Sequence, residues 1–332
     1  MKKRLYLSFT AFIACSMIFS LNAMAETKYL SVGTCRPSSS QFGYAVGMAK
    51  ALNKYAEGLN ITVVETGATV DNIKRMENKQ IHFGLVTPGV TYQAYNGIGE
   101  KWKNNAKPWI RMLWIYMRGV DNYVVRKDSG VTSLKELTGK KFNPGFRGSA
   151  TEATCEEIFD LFKIKPIYYR GGVADAVQAI KDNRIVGYLK TGAGLQLDAS
   201  TKDIMTLTPI RILPFTEEQV RLVKENMPWV MIVHVPAGIV KGMEQMGAYT
   251  SWGMGIGYAA PKDFAEEDAY KIVKAIDQGM EFQKAGYPGC FDDIPKTGLK
   301  LMKTPLHPGA VRYYRERGLT IPDELIPPEM KK

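Results

Sequence analysis

Along this chain, short apolar runs alternate with stretches whose apolar residues recur every three or four positions. Tyr29 to Gly33, Ile61 to Glu65 and Ile81 to Val86 are runs of the first kind and read as strands. Between them, Ala45, Met48, Ala49, Leu52 and Tyr55 fall on one helical face, Val70 to Asn78 fits a helix with one polar face, and Thr91 to Tyr95 begins another. A second unit follows the same rhythm. Tyr123 to Arg126 is extended, Ser133 to Glu136 is a capping box opening a short helix stopped at Gly139, and Lys141 to Asn143 is a strand. Ser149 to Glu152 is another capping box, opening a helix over Ala153 to Phe162. Ile167 to Tyr169 reads as a strand, Val173 to Asp182 as a helix, Ile185 to Leu189 as a strand, and Thr216 to Gln219 caps one more helix. The remainder holds an extended stretch over Met254 to Ala259, a long amphipathic helix over Glu266 to Lys284, and a helix from Pro308 to Arg317 ended by Gly318.

Strand–helix alternation at this spacing predicts α/β units, each with a parallel sheet covered by helices on both faces. No internal repeat, low-complexity tract or Pro/Ser linker separates the two units. They are therefore expected to be two lobes joined by crossing strands. A chain of 332 residues is also too long for one ordinary core.

The first residues have a different character. Lys2, Lys3 and Arg4 precede an apolar stretch from Leu5 to about Leu21, and Ala23 and Ala25 put small residues where a signal peptidase requires them. Residues 1–25 read as a secretory signal cleaved after Ala25. Ser8, Thr10 and Ser16 interrupt the apolar stretch, which is short for a stable span. No second stretch is apolar enough to cross a membrane, so a soluble, periplasmic monomer is expected.

The formal net charge is +11, but the basic residues are scattered singly or in short pairs such as Lys140-Lys141. A nucleic-acid partner is not expected. Beyond the leader stand Cys35, Cys155 and Cys290, an odd number without a CxxC pair. That excludes a disulfide framework and a zinc ribbon, and leaves open one bridge between two of the three. The histidines are His82, His234 and His307, none at metal-ligand spacing; His82 reads as structural and His307 as a helix cap. HExxH, GxSxG and Walker patterns are missing. No catalytic residue, metal or cofactor is expected.

In open α/β sheets, ligands bind beyond the carboxyl ends of strands. Those positions here are Gly33 to Phe42, Thr66 to Ala68, Thr87 to Tyr92, Gly145 to Thr151, and Thr191 with Gly192 to Gly194. The first and fourth are rich in hydroxyls and lead into helix N-termini, where free N–H groups favour carboxylates. Ser149 is in the first place a helix cap, which leaves neighbouring amides free for a ligand.

The stretches YLSVGT, ETGATVDNIKRMENKQIHFGLVTPGVTYQAYNG, VRKDSGVTSLKELTGKKFNPGFRGSATEATCEEIF and LHPGAVRYYRERG occur in this order across nearly the whole chain after the leader. In them the chain resembles the solute-binding proteins of TRAP (tripartite ATP-independent periplasmic) transporters, specifically the TAXI group. The resemblance implies a type II periplasmic-binding-protein fold, with lobe 1 formed by residues 26–121 and 252–332 and lobe 2 by residues 122–251. It implies hinged closure on a small organic acid, glutamate and oxo-acids being among the family's solutes. It also implies delivery to a TRAP membrane permease, often with small and large subunits fused. Matched onto this sequence, the family's binding loops point to Thr34, the turn over Ser38, Ser39, Ser40, Gln41 and Phe42, then Thr87, Tyr92, and Gly148, Ser149, Ala150 and Thr151.

Two departures stand out. The first loop, glycine-rich in the family, reads CRPSSSQF, and Arg147 stands where the family often has proline. A guanidinium matches a carboxylate bidentately. Arg36 and Arg147 are therefore expected to clamp an anion from the two facing loops, alongside Thr66, Thr191 and Gly192. A periplasmic solute sensor that signals without transport is the alternative on the same fold, and an enzyme is third.

Overall fold

The computed structural model describes residues 27–331; the leader and the cleavage after Ala25 lie outside the described residues. The chain opens with β1 (Lys28–Gly33), α1 (Ser40–Tyr55), β2 (Leu59–Val64), α2 (Thr69–Glu77), β3 (Phe83–Val86) and α3 (Pro88–Asn96). β1 runs parallel to β2 on one side and β3 on the other. The helices pack on this sheet through the faces their periodicity marks: Met48 and Leu52 of α1, and Ile73 and Met76 of α2, are buried.

β4 (Ile110–Arg126) then extends for 17 residues, about 55 Å at the rise of a strand. The second lobe follows with β5 (Lys141–Asn143), α4 (Ala150–Leu161), β6 (Ile167–Tyr168), α5 (Val173–Lys181), β7 (Gly187–Thr191), α6 (Ala199–Met205), β8 (Ile210–Leu213), α7 (Glu217–Asn226) and β9 (Met231–Val235). The chain returns along β10 (Tyr249–Pro261), and α8 (Glu266–Gln278), α9 (Met280–Gly286), α10 (Ile294–Leu299) and α11 (Pro308–Glu316) complete the first lobe.

Among the described residues, ten strands form one mixed sheet path, β2-β1-β3-β10-β4-β7-β5-β6, with β8 beside β4 and β9 beside β10. β4 pairs antiparallel with β10 as far as Val120; from Asp121 its partners are β7 and β8. β10 likewise pairs with β9 over Tyr249–Gly253 and with β3 over Gly257–Ala259. Both strands thus belong to both lobes, and the molecule has the two-lobed α/β architecture of type II periplasmic binding proteins.

Three local expectations need correction. Only Tyr123 to Arg126 of β4 and Met254 to Ala259 of β10 read as extended. Nearly all of β4 is buried on both faces, so it shows no alternation to mark its length. The single long helix over Glu266 to Lys284 is two helices broken at Gly279, where a Cβ would collide with Ala51 of α1. Ser133 caps nothing with its side chain: Leu134–Leu137 is one 3₁₀ turn, and the Glu136 carboxylate instead accepts the Thr132 N–H at 2.7 Å. All three described cysteines are buried and free, and His307 caps α11 by accepting the Gly309 N–H.

Aromatic packing ties the core of the first lobe to the cleft side. Tyr44 and Tyr116 stack with ring centroids 3.4 Å apart, and Trp114 stacks on Tyr258 at 4.8 Å. Their polar ends are satisfied internally: Trp114 Nε1 donates to Tyr44 OH at 3.0 Å, and Tyr116 OH donates to Gln41 Oε1 at 2.6 Å. Gln41 is thereby fixed from behind by the core.

α1 and α9 approach so closely that a Cβ on Gly47 would strike the Phe282 carbonyl, while Gly43 and Gly286 face each other in the same way. Gly47→Ala should lower stability by about 1–3 kcal/mol through overpacking, read as a shift of the urea midpoint. Gly247→Ala, with open space around it, should leave the midpoint unchanged.

The crossing point of β4 carries a buried acid. Asp121 is wholly buried; Thr191 Oγ1 donates to its Oδ1 at 2.6 Å, and its Oδ2 has no partner. Burial pushes the carboxyl up to about 8, against weaker downward pulls from Thr191 and Lys190. The folded state therefore keeps a proton that the unfolded chain releases near pH 4. Stability should fall as pH rises from about 4 to about 8, by at most ~1.4 kcal/mol per pH unit, and level off above. Asp121→Asn should flatten that part of the melting temperature–pH profile; parallel profiles for the two proteins would show that Asp121 does not titrate there.

Candidate ligand cleft

The two lobes are closed on each other, and a cavity of about 40 Å³ lies between them. That is well below the ~300–1,000 Å³ of ligand pockets, so the lobes are shut nearly to contact around it. Helix starts from both lobes converge on it. Ser39 caps α1 and Thr87 occupies the N-cap of α3, both from the first lobe; Ser149 caps α4 from the second, accepting the Glu152 N–H at 3.0 Å. First-turn amides such as those of Ala150 and Thr151 have no acceptor within their helix, and the helix dipole adds partial positive charge there. α2 also begins at the cavity, but Val70 N and Asp71 N already donate across the cleft to the Gly148 carbonyl, at 3.0 and 3.3 Å.

The residue leading into α2 is strained. Ala68 has φ 65° and ψ −149°, a region almost reserved for glycine and costing about 1–3 kcal/mol. Ala68 lines the cavity, and beside it the hydroxyl of Thr69 is buried without a partner.

Of the described residues lining the cavity, Lys190 is the one with a charged side chain. It stands on β7 and is 6 % exposed. Its Nζ donates to Ser39 Oγ at 3.4 Å across the cleft and lies 3.6 Å from Asp198 Oδ1. Asp198 caps α6 and also accepts the hydroxyls of Ser200 and, from the facing lobe, Ser40. Burial pushes this carboxyl up, but Lys190 and the hydroxyls outweigh it and hold it below its ordinary value, so Asp198 stays ionised. Cys35, also at the cavity, is pushed up to about 11 by burial and remains a neutral thiol. Further across the lobes, Gln93 Nε2 donates to both oxygens of Glu157, at 3.0 and 2.8 Å, and Lys101 lies 3.6 Å from Glu156. Burial raises the Glu157 carboxyl above its ordinary value.

The structure brings Ser39, Gln41, Thr87, Ser149, Ala150, Thr151 and Thr191 together around this cavity. Thr151 Oγ1 and Thr191 Oγ1 are 3.2 Å apart, and Thr191 links them to Asp121. Thr34 and Thr66 lie beneath: Thr66 Oγ1 donates to the Thr34 carbonyl at 2.8 Å and accepts Ala68 N. Ser40 and Gly148 act between the lobes, as described. Phe42 and Tyr92 are half-buried and do not line the cavity, and Gly192 is held by its N–H to the Val120 carbonyl at 2.7 Å.

Arg36 and Arg147 are not in the cavity. Arg36 is half exposed and 3.7 Å from Glu65, and Arg147 is exposed. Both line a shallow outer rim shared with Lys74 and Arg75. The residue beside Arg147 explains its direction: Gly148, at φ 85°, turns its carbonyl inward to α2. Glu152, at the start of α4, is held by Arg170 at 2.5 Å.

Sequence reasoning missed Lys190, Thr69 and Met254; Phe146 lies in the expected Gly145 to Thr151 loop. For Lys190 the signal was present. The expected strand ends at Leu189, which makes Lys190 the first residue past it, yet the candidate loop begins one residue later at Thr191; in the structure Lys190 lies within β7. Among the described residues, no group of three His, Cys, Asp or Glu side chains could hold a metal ion, and no helix is long and apolar enough to cross a membrane.

Comparison with known proteins places this geometry. The structure is similar to the periplasmic binding protein BugD, at 12 % identity, over 87 % of this chain and 93 % of that one, with a TM-score of 0.54. It is also similar to a protein from Bordetella bronchiseptica RB50, at 14 % identity, over 88 % and 98 % of the two chains, with a TM-score of 0.55. Both show the fold. Residues 32–318 match the model of the NMT1-like family, which spans both lobes and every residue of the cavity. The chain belongs to the NMT1-like family.

Proposed function

We propose that this protein is an extracytoplasmic solute-binding protein that closes two lobes on a small organic anion. One observation carries the reading: a buried lysine stands in a closed interlobe cavity onto which helix N-termini converge from both sides. Lys190 supplies an ammonium shared with Asp198, Ser149 and Thr151 supply hydroxyls, and the first turn of α4 supplies amides. A carboxylate suits that set of donors. The enclosed position of these donors suits a head group held almost entirely out of water.

Closure follows from the strands. With β4 changing partners at Val120–Asp121 and β10 at about Gly253, bending there moves one lobe against the other without breaking either core. The resemblance of the quoted stretches to TAXI proteins supports assigning the protein to a TRAP-type transporter, with a membrane permease as the receiver of the solute.

Lys190→Met keeps the apolar stem and removes the charge. It should weaken binding of an organic acid by roughly 30-fold or more, as for a buried charge pair losing one partner (about 2–5 kcal/mol). Arg36→Ala and Arg147→Ala should stay within about threefold of the parent. Calorimetry on the three variants with a carboxylate panel decides it, with circular dichroism to verify folding. Acid binding unchanged in Lys190→Met, or lost in Arg147→Ala, would sink the assignment. Saturating ligand should also reduce the radius of gyration in solution scattering; an unchanged radius would argue against hinged capture.

A further inference from the structure

The cavity has an apolar neighbour. Thr87 and Met254 line it on one side and a second, wider groove on the other, of about 270 Å³ and partly open to solvent. The two spaces follow the same face of α4: Thr151 borders the cavity and Thr154, one turn on, borders the groove. Trp229, Trp252 and Met231 wall the groove. The indole N–H of Trp252 donates to Tyr123 OH at 3.1 Å, so the groove meets its ring and not its polar edge. The indole N–H of Trp229 is buried without a partner. Lys300 and Lys303 stand exposed at the mouth.

Between the two spaces stands Met254, whose sulfur reaches to 4.0 Å from Thr191 Oγ1. Methionine is unbranched and readily changes rotamer, which makes it a movable partition. Such aromatic and thioether surface gives a fully polar diacid nothing to gain. It favours an apolar group, and the path from Lys190 past Met254 leads into it.

We propose that the groove receives the apolar tail of the solute whose carboxylate Lys190 holds, so that the solute class is aryl or medium-chain monocarboxylic acids. This rests on the carboxylate reading for its head group and on the groove for its tail. Burying each further methylene should raise affinity about fourfold until the groove is filled.

The test is calorimetry of the full mature chain with straight-chain acids from acetate to octanoate, with ω-phenyl acids, and with the matching primary amides, on the parent and on Trp229→Ala. Affinity climbing with tail length for the acids, and flattening in Trp229→Ala while acetate binding is unchanged, is the expected result. Acids that bind with no dependence on tail length overturn the groove assignment and leave the carboxylate reading standing. Amides that match their acids along a Trp229-dependent series keep the groove and remove the charged head group. No tail dependence in either series overturns the inference. The parent series decides even if Trp229→Ala fails to fold.

Discussion

The continuity of two strands is the constraint from which the rest of this molecule follows. β4 and β10 are hydrogen-bonded to each other along the middle of the sheet path, and each ends in a different lobe. Neither lobe can detach, and neither can rotate without bending these strands. The cleft must therefore open and close about a fixed line. Helix starts that sit at strand ends are automatically aimed at that line, which is why α1, α2, α3 and α4 all begin there. The same geometry places Thr191, hydrogen-bonded to Asp121, next to Lys190 at the crossing.

Away from the crossing strands, the lobes are joined largely by polar contacts. These include Ser40 with Asp198, Ser39 with Lys190, Gln93 with Glu157, Lys101 with Glu156, and two α2 amides with Gly148. Hydrogen bonds of this kind contribute about 0.5–1.5 kcal/mol each, and partly exposed ion pairs less. A set of that strength suits a closure that must be reversible. An apolar interface of the same area would hold the lobes shut. Evolving a new ligand preference on this frame would thus involve cavity residues, while the latch residues set how readily the frame shuts.

Much of the fold was legible because its helices carry one apolar face and its inner strands are short apolar runs. α1, α2 and α5 lie where the spacing of Ala45, Met48 and Leu52, of Val70 and Ile73, and of Val173 and Val177 puts them. β4 was mostly hidden because a strand buried on both faces has no alternation, and because Arg118, Asp121 and Asn122 interrupt its apolar run. The cleft was legible to the extent that hydroxyl-rich loops follow strands: Ser39, Ser149 and Thr151 meet at the cavity. Arginine identity misled, since Arg36 and Arg147 belong to the right loops but point to the outer rim. Which way a loop side chain points depends on its backbone turn, and the turn at Gly148 is set by a partner 78 residues away in the facing lobe, the start of α2. No local pattern contains that information.

That turn has a further effect. In the closed molecule, the Gly148 carbonyl sits on the first amides of α2 much as an oxygen of a bound anion would. The protein thus carries a piece of its own backbone as a stand-in for cargo. On the proposed reading, that contact favours shutting without solute and so raises the share of molecules that are shut but empty. The balance between open and shut molecules thus depends, on that reading, in part on a backbone carbonyl that never has to touch the solute.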